Sequence, residues 1–373
     1  VSQWRDLTPA NAINYRAEHD PAFKDWSAKL IHVSGFTDYI NPVIQDWIMQ
    51  ADHVRVQRNV INEKVIDAIE YFQGLGKTVS IDLDDAYHIL PWSNPAHAFW
   101  IENKHDLDPA PLDILERGLR KSDGLTAPNR LLLQDWSYAV QGYYLPNYAD
   151  HTFWPEVMPT RAEQKAKLKL TDRVVIGWGG SVSHYDSWWG TEIREAAYDI
   201  AKKFPQVVFM LCGNDPRIYD MLPVPRDNKL LQPGVEPALW PTVVKTFDIG
   251  LAPLCGIYDQ HRSWIKALEC GLAGVPWIGT QGEPYRDLEH LGYAIPNDNK
   301  AWYDTMARVI RNLIQEQETA TARVPYYRSL LAINQLPAYE KVYQQIAKDV
   351  RIQRGRLPML HFVNWLPKEP TNA

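Results

Sequence analysis

What this sequence is short of narrows its reading before any motif does. It has three cysteines in 373 residues, enough for one bridge at most, so a disulfide-stapled secreted scaffold is excluded. Cys212, Cys255 and Cys270 sit in apolar or helical contexts and read as reduced thiols. No apolar stretch approaches the ~20 residues that span a bilayer, so no transmembrane segment is expected. The opening VSQWRDLTPANAINYR lacks the basic region and apolar core of a secretory leader, and a cytoplasmic protein is expected. Positive charge is not in excess either. The net charge of −6 gives no general pull toward polyanions. The one basic gathering, KDVRIQRGR (348–356), reads first as a solvated helix end and second as a contact for nucleic acid or an anionic membrane. Short repeats and low-complexity tracts are lacking too.

What is present is a composition 45% hydrophobic and 23% charged, over a length at which one core usually divides into two domains. β-branched apolar runs alternate with amphipathic stretches, the pattern of an α/β protein with parallel sheets and helical crossovers. In the first half, residues 29–35, 53–58, 77–83 and 123–128 read as strands. Between two of these, 61–77 sets Val65, Ile66, Ile69 and Phe72 at helical spacing and stops at Gly74 and Gly76. The segment 142–159 has three prolines, many aromatics and no period, and reads as the connector between domains. A second series follows, with strands at 173–180, 206–213, 229–234, 247–254 and 275–280 and helices such as 190–204 between them. Beyond about residue 300 the periodicity is helical, at 302–317 and 338–350. The expected division is a first domain over 1–150, a second over 151–345 and a tail over 346–373, irregular in its last segment, for which packing back on the first domain is one expectation.

Chemistry concentrates in a few places. In HRSWIKALECGLAGVPWIG (261–279) a helix would put Arg262, Lys266 and Glu269 on one narrow face and Ile265, Leu268 and Leu272 on another. Ligands of doubly wound sheets sit at the carboxyl ends of strands, where helix N-termini favour phosphate. The loop before this helix would then offer backbone N–H groups and Arg262 to a diphosphate, with Ser263 as a hydroxyl donor, while Glu269 takes both hydroxyls of a ribose. The plainer reading is a surface helix with paired charges. Gly177-Trp178-Gly179-Gly180 follows a strand but lacks the third glycine of a dinucleotide fingerprint, with Val182 in its place. That argues against a nicotinamide enzyme and leaves a phosphate or sugar cradle, since glycine lets the backbone approach a ligand. His184 and Asp186 nearby read as contacts to a sugar or phosphate, or as simple loop polarity. Asp82, Asp84 and Asp85 at a strand end suit a divalent cation or capping of the next turn. Gly35, at the end of the 29–35 strand, either admits donor phosphates or is an ordinary turn glycine. Of the 15 tryptophans, Trp178 and Trp240 are singled out for stacking.

The order of these segments resembles the retaining glycosyltransferases of the GT-B fold, close to family 4. FDIGLAPL, a loop, then RSWIKALECGLAGVPWIG is similar to the region in which a helix glutamate binds the nucleotide ribose. VVIGWGGSVSHYDSWW resembles the first strand and Gly-rich loop of that family's C-terminal domain, and GVEPALWPTVVKTFDIGLAPL the segment around the nucleotide base. KTVSIDLDDAYHILPWSNP resembles an Asp-rich strand end of bacterial and phage relatives, and LTAPNRLLLQDW with YYLPNYADHTFWP the run into the interdomain hinge. The resemblance covers roughly residues 30–345. It implies two Rossmann-like α/β/α domains facing a cleft and a nucleoside-diphosphate sugar as co-substrate, most simply a UDP-sugar, with no tightly bound cofactor and no required metal. The donor would be held by Gly35, Gly179, Gly180, Ser181, His184, Arg262, Ser263, Lys266 and Glu269, with Gly234 and Val235 at the base. Asp84, Asp85 and His88 would serve the acceptor. Its hydroxyl would belong to a glycan, a lipid-linked sugar or a protein, or else to a hydroxymethylated base in DNA. A nucleotide-sugar-binding protein without turnover and an isomerase of the donor are the rivals from other classes. The sequence departs from the family pattern in two places. His261 stands where the first of two glutamates is usual, and Trp178 and His184 stand where the Gly-rich loop usually has Arg and Lys.

Overall fold

The computed structural model describes residues 3–356; the segment expected to be irregular, from Leu357 onward, lies outside the described residues. Two parallel sheets carry the fold. In the first, β1 (His53–Gln57), β2 (Thr78–Asp82), β3 (Leu125–Ala127) and β4 (Gly142–Tyr144) lie side by side in chain order. Crossovers between successive parallel strands share one hand, so the helices Glu63–Gly74, Pro111–Lys121 and Arg130–Asp135 gather on one face. There Val65, Ile69, Ile114, Leu119 and Leu132 pack against Val79, Ile81 and Leu125.

The alternation that gives Val79 and Ile81 to that core sends Thr78, Ser80 and Asp82 to the other face, where they are also buried. The first and last of the described elements cover them. Arg5 forms a bidentate ion pair with Asp82, and Thr126 donates its hydroxyl to the same carboxylate. Tyr343, on the terminal helix Leu336–Arg356, stacks on His53 of β1 at 4.4 Å between ring centroids, and Ile346 and Val350 bury against Tyr143 of β4. Residues 346–356 continue the helix Leu336–Arg356, which packs back on the first sheet.

The second sheet has the order β10-β9-β8-β5-β6-β7, formed by β5 (Val174–Gly179), β6 (Val207–Cys212), β7 (Lys229–Gln232), β8 (Ile249–Ala252), β9 (Trp277–Thr280) and β10 (Tyr293–Ile295). Helices Ile193–Lys203 and Asn299–Arg311 pack on one face and Ile265–Leu272 on the other. Strand order reverses between β5 and β8, which lie adjacent. This is the switch point at which a doubly wound sheet opens a crevice.

Several elements differ from the sequence expectation. Residues 29–35 form no strand: His32 caps a short helix, Val33–Phe36, its Nδ1 accepting the Ser34 amide, and Ile31 and Ile44 close around Gly35. The fourth place in the first sheet goes to β4, at the start of the segment read as an aperiodic connector. β10 was not marked by any pattern, and 302–317 divides into Asn299–Arg311 and Leu313–Ala322. All three cysteines are free, with Cys255 half-buried and the others buried. Among the described residues no helix is long and apolar enough to cross a membrane.

Candidate functional site

A cavity of about 940 Å³ opens at the switch point, between the carboxyl ends of the second sheet and those of the first. β5 ends at Gly179 and its loop runs through Gly180, Ser181 and His184 into a short helix, Tyr185–Trp189. β8 ends at Ala252 and leads through the short helix Gly256–Gln260 to Ile265–Leu272. Both loops line the cavity, as do Gly234 and Val235 after β7, and Asp84 and Asp85 after β2 on the opposite wall. Most of the residues proposed from sequence thus meet at one place.

The helix is shorter than the charge spacing suggested. It begins at Ile265, so Arg262 precedes it and is fixed by other means. Its Nε donates to Asp259 Oδ1 at 2.7 Å, its Nη2 to the Ser183 carbonyl at 2.6 Å and its Nη1 to His184 Nε2 at 3.0 Å. Accepting at Nε2 makes His184 the neutral tautomer that can donate from Nδ1 to Ser187 Oγ, 3.3 Å away. Burial first, then the Arg262 and Lys266 charges, hold its pKa well below the usual histidine range. Arg262 and Lys266 are therefore the cations of this wall, and His184 orients one of them.

Lys266 donates to the Gly179 carbonyl and lies 4.8 Å from the Trp178 ring centroid. Glu269, one turn further on, is buried beside Trp240. Burial lowers the pKa of Lys266 and raises that of Glu269, while their mutual attraction opposes both changes. Gly179 has a second reason to be glycine besides approach to a ligand: a Cβ there would stand 2.0 Å from the Trp240 ring. Trp178 itself is core, edge-on to Trp188, and of these two singled-out tryptophans it is Trp240 that reaches the cavity.

On the opposite wall the three aspartates separate. Asp82 is committed to Arg5, Arg55 and Thr126. Asp84 accepts from the Tyr87 hydroxyl at 2.6 Å. The Asp85 carboxyl is pushed up to about 6 by burial and then by the Asp84 charge. Among the described residues no group of three His, Cys, Asp or Glu is arranged to hold a metal ion.

Two residues expected at the site are elsewhere. Gly35 sits in its short helix between Ile31 and Ile44 and does not line the cavity. His88 lies outside it too, with Nε2 2.8 Å from Asp135 Oδ2. His261 approaches the same oxygen, also at 2.8 Å, so the residue in place of the usual glutamate is turned toward the first domain. Asp186 accepts from Ser93 Oγ at 2.6 Å, another tie between the domains. Sequence reasoning missed the floor of the cavity. Trp4 and Thr8 from the start of the chain, with Asp150, Phe153 and Trp154 from the connector, line it. Asn147 fastens them, accepting from Arg5 and donating to Ser263 Oγ at 3.0 Å. The connector's density of aromatics was the only signal of this.

No family model matches the chain, and no curated protein does. Solved structures do. The chain is similar to Anabaena HepE in complex with UDP-glucose, at 13% identity over 94% of this chain and 97% of that one, with a TM-score of 0.57. It is also similar to α,α-trehalose 6-phosphate synthase from Burkholderia multivorans, at 12% identity over 94% and 82% of the two chains and a TM-score of 0.54. Sucrose-phosphate synthase from Thermosynechococcus elongatus follows at 12% identity, 88% and 81% coverage and a TM-score of 0.52. At such identities the likeness is one of fold, and the fold is the two-domain GT-B architecture.

Proposed function

We propose that this chain is a glycosyltransferase that moves a sugar from a UDP-sugar to an acceptor hydroxyl, with retention of anomeric configuration and without a metal ion. The observation that carries this reading is the meeting of Arg262, Lys266 and Glu269 at the switch point with Asp84 and Asp85 across the same cavity. A nucleoside diphosphate would place its base against Gly234 and Val235 and its ribose hydroxyls on Glu269. Its phosphates would lie among Arg262, Ser263, Lys266 and the backbone of Gly180 and Ser181. Breaking the anomeric C–O bond leaves negative charge on the diphosphate, and two fixed cations in a half-buried pocket stabilise that charge without reorganising. Asp85, ionised above about pH 6, is suited to take the proton of the incoming hydroxyl, which for retention must attack from the same face that the diphosphate leaves as the anomeric C–O bond breaks. Uridine is favoured among nucleotides because the similar Anabaena structure is a UDP-glucose complex; retention rests on the family resemblance.

The acceptor side is walled by Trp4, Phe153 and Asp85, a mixture that suits a sugar ring presented by a glycan, a lipid-linked sugar or a protein. The test is a binding screen of UDP-, GDP-, ADP- and dTDP-sugars against wild type and Glu269→Ala, with and without EDTA. One nucleotide should bind regardless of EDTA, and the substitution should weaken it by about 1.5–3 kcal/mol, the worth of hydrogen bonds to a charged group. No binding to any nucleotide sugar would remove the reading and leave the fold. Binding without turnover on any acceptor, hydroxymethylated DNA included, would reduce it to a nucleotide-sugar-binding protein.

A further inference from the structure

Tyr258 spans the cleft. The short helix Gly256–Gln260 of the second domain carries it, buried, toward the first domain. Its hydroxyl donates to Asp85 Oδ1 at 3.0 Å and lies 3.3 Å from Asn94 Nδ2, which donates to it. The ring of the same residue faces the Arg262 guanidinium, with 4.8 Å from Cζ to its centroid. One side chain therefore touches both the cation assigned to the diphosphate and the carboxylate assigned to the acceptor. Among the described residues nothing donates to Asp85 Oδ2, so the contact fixes the rotation of the carboxylate and leaves one oxygen for a hydroxyl. The other charged or titratable groups around Asp85 are Asp84, Arg58 and Arg262, with Tyr87 bound to both Asp84 and Arg58.

We infer that Tyr258 is a positioning residue through which docking of the two domains orients Asp85 and holds it ionised, so that the base is armed only when the donor domain is in place. The inference rests on the reading of Asp85 as the base of a sugar transfer. A hydrogen bond to the carboxylate favours its charged form; removing the tyrosine hydroxyl takes that away while leaving the ring against Arg262.

The test needs no acceptor, because water can take the sugar. Hydrolysis of UDP-glucose by wild type, Tyr258→Phe, Asn94→Ala and Asp85→Asn is followed from about pH 5 to 9, alongside calorimetric binding of UDP. For Tyr258→Phe we expect UDP affinity within about twofold of wild type and kcat near pH 6 roughly tenfold lower. It should recover toward wild type above about pH 8, so that the acidic limb lies at higher pH. Asn94→Ala, which removes the donor to the tyrosine oxygen, should move the limb in the same direction by less and stands in if Tyr258→Phe does not fold. An acidic limb that stays in place in both variants, or a loss of the same factor at every pH, overturns the role of Tyr258 while Asp85→Asn remains inactive. A wild type without hydrolysis, or an Asp85→Asn variant as fast as wild type, overturns the underlying reading and the inference with it.

Discussion

The two sheets treat the polar groups at their strand ends in opposite ways. In the first, Asp82 is fully buried, its charge met by Arg5 from the first described turn and Arg55 of β1. In the second, Arg262, Lys266 and Glu269 stand at an open crevice; Asp259 pairs with Arg262 from one side only, and Glu269 offsets the burial of Lys266 only in part. What separates the two cases is the supply of counter-charge. Where the chain brings a cation from elsewhere to close a carboxylate, the group becomes structure; where it leaves charges facing a cavity, they await a ligand. Asp82 and Asp85 make the comparison within three residues of one another.

That contrast can be broken by two substitutions. Asp85→Asn should lower kcat by roughly a hundredfold to ten-thousandfold, the usual contribution of a general base, with donor affinity and melting temperature little changed. Asp82→Asn should do the reverse. It takes the Asp82 carboxylate away from the buried Arg5 guanidinium, and breaking a buried pair costs about 3–5 kcal/mol. The lower end is expected because Arg5 also donates to the Leu145 carbonyl and Asn147. Urea unfolding and donor hydrolysis on both variants decide it. An Asp82→Asn protein of normal stability but without activity would put Asp82 in the site and erase the distinction.

The sequence made the second sheet legible and the first only in part, for a physical reason. The run from FDIGLAPL to VPWIGT announces strand, loop, helix and strand locally, because its apolar periodicity changes within a few residues. Asp84 and Asp85 were visible from the strand end they follow. The partner of Asp82 was not, since Arg5 lies 77 positions away in the chain and no local pattern connects them. Residues 29–35 carry the apolar alternation of a strand but turn into the short helix Val33–Phe36, capped by His32, so Gly35 does not reach the cleft. β4 and β10 are too short for a period to register. His88 reads as a site residue by position and His261 as the replacement of a usual glutamate, whereas in space both lie against Asp135, a residue with no motif of its own.

A smaller effect sharpens the contrast from the other side. Gly179→Ala should destabilise the second domain by about 1–3 kcal/mol, the cost of overpacking, because the added Cβ meets the far edge of the Trp240 ring. Adding Trp240→Phe to it, which removes that edge, should recover most of the loss in a thermal melt. If the double variant melts no higher than the single one, the glycine serves the ligand's approach alone and packing against Trp240 is not its reason.

The smallest effect expected is at Arg130, and it tests whether docking in general or one contact in particular governs Asp85. Arg130 reaches from the first domain to Asp287 at 2.9 Å and Glu283 at 3.3 Å, and lies over the Tyr144 ring. It bridges the domains as Tyr258 does, but its side chain is 39% exposed, so solvent screens the pair and removing it should cost at most about 1 kcal/mol. Arg130→Ala should therefore leave the acidic limb of donor hydrolysis where wild type has it and change donor affinity by less than about threefold, an effect that fades further with added salt. A shift of that limb as large as the one expected for Tyr258→Phe would mean that any loosening of the domains raises the pKa of Asp85. The hydrogen bond from Tyr258 would then be one tie among several, and the arming of the base would belong to closure as a whole.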